Sequence, residues 1–175
     1  MRKFTVRDLT LAAMVAALYA VMCYFGNIFG LTFGPVQFRF AEALTVLPFL
    51  FPVTAPGLVV GCFIANILSP YGALDIIFGT LATAIAAYFT AKMPNRWLAP
   101  LPPILANLVL LPPIWAWAEA NAINDVFFKA LGFYALTFVI GEAVVCYGLG
   151  LLLLKVLEQL PVTRTMISPE RRLTQ

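Results

Sequence analysis

The chain has 175 residues, of which 62% are apolar and 11% charged, with a formal net charge of +3. Soluble domains carry about 25% charged residues, so an ordinary water-soluble fold is excluded. Histidine is absent, which removes His-based triads, zinc-hydrolase His clusters and haem ligation by His.

Long uncharged runs define the elements. Residues 9–38 and 43–74 carry no charge, and neither do 76–91 and 97–118. Residues 130–154 are interrupted only by Glu142. A spanning helix needs about 20 apolar residues, and the runs predict six helices at 8–27, 38–52, 55–69, 73–91, 101–119 and 129–157. Arg2 and Lys3 ahead of an apolar stretch resemble a secretory leader, but the apolar material continues through the chain, which favours a mature span. Helices 2 and 3 are short, with Pro48, Pro52 and Pro56 between and within them; a re-entrant hairpin over 43–69 is the alternative. The backbone of the turn at 51–56 must then be satisfied inside protein or at the headgroups.

Basic residues set the orientation. With the N-terminus in the cytoplasm, six spans put Arg2, Lys3, Arg7, Lys92, Arg96, Lys155, Arg164, Arg171 and Arg172 inside, and only Arg39 and Lys129 outside. This is a positive-inside pattern, so the net charge reads as topology and implies no nucleic acid. The expected fold is an all-α, six-span integral membrane protein with both termini cytoplasmic. Residues 1–160 form the membrane domain, and 161–175 form a polar, mobile tail.

Ala12, Ala16 and Ala20 recur at spacing four on the first helix, with Ala13 and Ala17 beside them. Small residues on one face let another helix approach closely. The partner is either the protein's own bundle or a separate membrane subunit.

Polar groups collect at the outer half of this topology. Arg39 and Glu42 open helix 2, Asn66 lies near the outer end of helix 3, and Asp75 opens helix 4. Trp115, Trp117 and Glu119 close helix 5, Asn121, Asn124 and Asp125 follow it, and Glu142 lies near the midplane of helix 6. Each has a plain alternative. Arg39 and Glu42 can pair across one turn, and Asp75 can complement a helix N-terminus. The tryptophans can be interfacial belt residues, and the loop residues can simply be solvated. Glu142 resists such a reading, because a midplane carboxylate needs a donor, a proton or a cationic ligand. Pro112-Pro113 predicts a kink in helix 5 that swings Trp115 and Glu119. Carboxylates accept paired N–H donors and aromatic faces stack on flat rings. The set therefore suits a planar, donor-rich heterocycle better than a phosphate or an organic acid.

Cys23, Cys62 and Cys146 sit in apolar runs without metal-ligand or disulfide spacing. No segment fits G-x-x-x-x-G-K-[ST], so ATP hydrolysis by a P-loop cannot come from this chain. A small membrane enzyme using Glu142 and Asp75 as acid and base lacks a nucleophile or metal arrangement to work with. A purely structural protein leaves Glu142 unexplained.

The runs FGPVQFRFAEALTVLP at 33–48, GLVVGCFIAN at 57–66 and LDIIFGTLAT at 74–83 resemble the QueT family. These are substrate-binding S components of energy-coupling factor (ECF) transporters, assigned to uptake of queuosine precursors. The resemblance covers most of residues 5–155. It implies a bacterial plasma-membrane S component that holds no cofactor itself, with ATP used by two ATPase subunits and a membrane coupling subunit as separate chains. It implies 7-deazaguanine ligands: preQ1, preQ0 or queuine. Another vitamin-like nutrient is the alternative substrate. It also implies that Ala12, Ala16 and Ala20, or Ala13 and Ala17, dock the coupling subunit. The expected ligand contacts are Glu142, Asn66, Glu42, Arg39, Asp75 and Trp115, with Glu119, Asn107 and Phe38 behind them. The loop 26–38, with Gly26, Gly30 and Gly34, is expected to close over the ligand before the protein topples in the membrane.

Overall fold

In a computed structural model, residues 4–32, 38–164 and 166–167 are described. Among them the chain is entirely helical. The first helix, α1 (Val6–Ile28), starts two residues before its predicted position because Thr5 caps it. Thr5 Oγ1 accepts from the Asp8 N–H at 3.2 Å, and Asp8 Oδ2 accepts from the Thr5 N–H at 3.0 Å. This reciprocal box satisfies two orphan donors of the first turn.

The second helix, α2 (Phe40–Phe49), is wound as a 3-10 helix with Pro48 inside. Every residue from 41 to 51 is buried. A helix that is apolar on all sides belongs in a core, and only Glu42 and Thr45 break that pattern here. At about 2.0 Å per residue the tighter winding stretches ten residues over about 20 Å. The turn that follows satisfies itself: the Thr54 N–H and Oγ1–H both donate to Phe51 O, at 2.9 and 2.7 Å.

The third helix, α3 (Pro52–Asn66), begins with one 3-10 turn. The fourth, α4 (Asp75–Thr90), begins with a π-wound segment, Asp75–Gly79. The fifth, α5 (Leu101–Ala120), runs as one helix through Pro112 and Pro113. The sixth, α6 (Asp125–Gln159), carries a π segment, Val144–Gly150, and starts four residues before the predicted boundary. Asn121 ends α5 in the left-handed region (φ 53°), and Asn124 Oδ1 caps α6 by accepting from the Phe127 N–H at 3.0 Å. These exposed residues, expected as solvated loop, are thus helix stop and start devices.

By length and composition α1, α5 and α6 can each cross a membrane, while α2, α3 and α4 are shorter apolar helices. Within the segment expected as a polar tail, Pro161–Arg164 form a short helix, α7, and Ile167 joins a buried cluster with Val46, Leu50, Ala99 and Leu154; residues 165 and 168–175 lie outside the described residues.

α1 packs most closely on α3, and small residues make the contact. A Cβ on Gly57 would lie 2.8 Å from the Ala12 carbonyl carbon, and one on Gly61 would lie 2.7 Å from Ala16 O. Ala12 and Ala16 are buried in this contact, Ala20 is half-buried, and Ala13 and Ala17 are exposed. The spacing-four stripe therefore splits. Its Ala12 and Ala16 serve the protein's own bundle, and the exposed face is that of Ala13 and Ala17.

Gly57→Ala should lower stability by about 1–3 kcal/mol, the usual range for overpacking, read as an earlier thermal transition in detergent. Gly132→Ala, with no atom within 4 Å of its new methyl, should melt no earlier than wild type. Equal melting of the two variants would contradict the close α1–α3 contact.

Candidate functional site

Two buried polar layers and one outer cavity lie along the inner faces of α5 and α6. Residues four apart stack on one helix face, about 6 Å per step. Down α5 these are Glu119, Trp115, Leu111 and Asn107. Down α6 they are Tyr134, Phe138, Glu142 and Cys146.

The outermost level is a cavity of about 690 Å³ lined by Pro70, Tyr71, Trp115, Ala118, Glu119 and Tyr134. Tyr134 Oη donates to Glu119 Oε2 at 2.8 Å. The Tyr71 ring stacks on Trp115 with centroids 5.4 Å apart and planes 26° apart, and Tyr134 meets Trp115 edge-on at 5.9 Å. Such a wall offers aromatic faces and one carboxylate to a flat guest. Below it, Leu111, Trp115 and Phe138 form a small buried apolar cluster.

Asp75 is the hub of the first polar layer and has no exposure to solvent. Its Oδ2 accepts from Ser69 Oγ at 2.6 Å and from Arg39 Nη2 at 3.3 Å, and its Oδ1 accepts from Trp115 Nε1 at 3.0 Å. Its backbone carbonyl accepts from Asn66 Nδ2 at 2.9 Å. Asn66 fits because Gly79 has no side chain: a Cβ there would come within 2.6 Å of Asn66 Nδ2. Arg39 also reaches back to Thr32 O through Nε at 3.4 Å, and Thr32 Oγ1 donates to Cys23 O at 3.0 Å. One carboxylate thus ties together the ends of α1, α2 and α3, the start of α4 and the outer half of α5.

The second layer is deeper. Glu142 Oε1 accepts from Asn107 Nδ2 at 3.1 Å, and Glu142 Oε2 accepts from Cys146 Sγ at 3.4 Å. Cys146 Sγ also lies 3.6 Å from Glu42 O. Glu42 Oε1 accepts from Tyr19 Oη at 2.5 Å, whereas Glu42 Oε2 is buried without a hydrogen-bond partner. A buried carboxylate oxygen without a donor is costly.

Several expectations resolve differently from their plain alternatives. Asp75 serves as the partner of Arg39, Ser69 and Trp115 rather than as an end-of-helix charge. Trp115 is 1% exposed and bonded through its indole N–H, while Trp117 is 52% exposed and is the one suited to an interfacial belt. Asn66, Asp75, Arg39 and Trp115 come together in one layer, and Glu142, Asn107 and Glu42 in another. Glu119 is exposed at the cavity. Phe38 is half-buried and its N–H donates to Leu31 O at 2.9 Å; it does not line the outer cavity. Gly26 lies inside α1, tight against Thr32, so it is not part of a flexible loop. Gly30 takes φ +68° at the helix end, and Gly34 lies outside the described residues.

Sequence reasoning missed Ser69, Tyr71, Tyr134, Phe138, Cys146 and Tyr19. The α6 group carried a usable signal, since Tyr134, Phe138, Glu142 and Cys146 share one face at spacing four. Tyr19 and Ser69 carried none, because their partners are distant in sequence.

An all-helical apolar bundle with charged and amide groups enclosed at its centre is built as a membrane protein with a polar interior. Comparison with known proteins gives the particular family. Residues 9–159 match the profile of the QueT transporter family, and the chain belongs to it. It is 33% identical over 85 residues to the protein named queuosine precursor transporter QueT of Lactococcus lactis subsp. cremoris. That match covers 49% of this chain and 50% of the relative, so the similarity spans about half the length of the curated relative. No solved structure gives a significant match to this chain.

Asp75→Asn should destabilise the protein by about 3–5 kcal/mol, the usual cost of leaving one member of a buried ion pair behind. The double variant Arg39→Met/Asp75→Leu should recover most of that loss. Denaturant unfolding in detergent checks both. A single variant as stable as wild type would remove Asp75 as the structural hub.

Proposed function

We propose that this protein is the substrate-binding S subunit of an ECF-type importer and takes a 7-deazaguanine queuosine precursor from outside the cell. The observation that carries the reading is the layered site: an aromatic cavity above Asp75, with buried Glu142 and Glu42 beneath and one Glu42 oxygen lacking a donor. A guanine-like edge presents adjacent N–H donors to a carboxylate, which accepts them in pairs. Trp115 and Tyr71 stack on the ring, Asn66 orders Asp75, and Glu142 with Asn107 takes the donor edge or an aminomethyl group. Arg39 holds Asp75 in place, and Glu119 lines the mouth by which the ligand enters.

Six membrane crossings with both termini cytoplasmic agree with the basic residues at the inner ends. The one basic residue on the outer side of the first four helices, Arg39, is buried against Asp75, so it does not weaken the charge bias. The membrane domain covers residues 1–160. The protein itself needs no cofactor, since ATP is consumed by separate ATPase subunits. The coupling subunit docks on the open face of α1 at Ala13 and Ala17, with Ala20 at its edge. Delivery follows by toppling of the whole bundle, which the short helices α2, α3 and α4 ease through hydrophobic mismatch. The plasma membrane is the site of action.

Isothermal titration of the detergent-purified protein with preQ1, preQ0, queuine and guanine tests the reading. At least one 7-deazaguanine should bind saturably. Glu142→Gln should weaken that ligand by about 10–100-fold, the loss of one charge-assisted hydrogen bond. Absence of saturable binding by all four compounds would refute the assignment, and unchanged affinity in the variant would exclude Glu142 from the site.

A further inference from the structure

A second concave feature lies on the opposite flank of α5, away from the polar layers. It is a groove of about 540 Å³ between α4 and α5, and every residue lining it is apolar. Ile85, Phe89 and Met93 form one wall at spacing four, and Leu101, Leu105 and Val109 form the other. Phe89 is 49% and Val109 68% exposed, so this surface faces outward. From Ile85 to Met93 the groove runs about 12 Å along the helix.

Its end at Met93 and Leu98 meets the α4–α5 connection. That stretch, residues 91–100, contains Lys92 and Arg96 and no acidic residue. Lys92 Nζ sits 3.9 Å from the Tyr88 ring centroid and bonds its hydroxyl. The Arg96 guanidinium lies 5.1 Å from the Trp97 ring centroid. Both cations are held by aromatic rings in the same connection that supplies Met93 and Leu98 to the groove, and Trp97 is 59% exposed. An aromatic ring with a neighbouring cation is the arrangement that anchors a helix end at a headgroup plane. An apolar slot whose end residues, Met93 and Leu98, lie within two residues of Lys92 and Arg96 in the chain matches a molecule with an acyl chain and an anionic head.

We propose that the α4–α5 groove is a site for an anionic phospholipid, its acyl chain lying between Phe89 and Leu105 and its phosphate held by Lys92 and Arg96. This surface shares no residue with the polar layers, so it stands independently of the substrate assignment.

The test uses the full chain purified in mild detergent and exposed to equal amounts of phosphatidylglycerol and phosphatidylcholine, with retained lipid counted by native mass spectrometry. Wild type should retain phosphatidylglycerol with about a thirtyfold preference, as two basic residues near an anionic head imply. Lys92→Ala/Arg96→Ala should lose the preference while still retaining lipid. Ala106→Phe, which fills the groove, should lose retention of both lipids. Preservation of the thermal transition in each variant shows that the fold survives. Equal retention of the two lipids by wild type overturns the proposal. So does unchanged retention in both variants.

Discussion

A charge buried in an apolar bundle must be answered from within the protein, and that requirement organises this fold. Asp75 has no contact with solvent and is met by Arg39, Ser69 and Trp115, while its carbonyl is met by Asn66. These partners come from three separate stretches of chain, at residues 39, 66–69 and 115. Each must arrive in register for the charge to be compensated, so the hub fixes the outer ends of the helices relative to one another. A buried ion pair adds little net stability over an apolar replacement. Its value here lies in specifying one arrangement among the many that loosely packed apolar helices could adopt.

The half of the bundle around the N-terminal part of α1 is organised by shape instead. Gly57 and Gly61 bring α3 onto the backbone of α1 at Ala12 and Ala16. Close approach of this kind replaces the hydrophobic drive that is missing between helices in lipid. It also allows α2 to run as a thin 3-10 helix through the middle of the bundle, buried from residue 41 to 51. Glu42 enters the core on this helix, and Thr45 Oγ1 supports it by donating to Glu42 O at 2.6 Å. Gly150 makes the matching accommodation on α6: a Cβ there would sit 3.1 Å from Val46.

The helices were legible from uncharged runs, because only continuous apolar surface can face lipid or a dry core. Their ends were less so. The capping box at Thr5 and the Asn124 cap extend α1 and α6 beyond the hydrophobic pattern, and Asn121 closes α5, since caps are polar and fall outside that pattern. The 3-10 winding of α2 was not legible, because its apolar composition suits either pitch. At the site, Asp75, Glu142, Asn66 and Trp115 stood out as costly or amphipathic groups in apolar surroundings. Their division into two layers did not, because layer membership depends on rotation about each helix axis. The α1 alanines show the same limit. Periodicity identified a close-packing face, but neighbouring registers differ by 100°, and Ala12 with Ala16 turned inward where Ala13 with Ala17 turned outward.

Two helices, α4 and α6, change winding next to a buried acid. Asp75 is the first residue of the π segment in α4, and the α6 π segment begins two residues after Glu142 and contains Cys146. A π turn widens the helix and shifts the face that side chains present, and such turns recur at functional sites. On α4 it leaves the Asp75 carbonyl available to Asn66 while the carboxylate reaches Arg39 and Trp115. On α6 it brings Cys146 to both Glu142 and the Glu42 carbonyl, which joins α6 to the buried α2. Regular α-helices could carry the same residues. The altered winding lies beside the contacts that tie Asp75 to α3 and Glu142 to α2: Asn66 on the Asp75 carbonyl, and Cys146 between Glu142 and the Glu42 carbonyl.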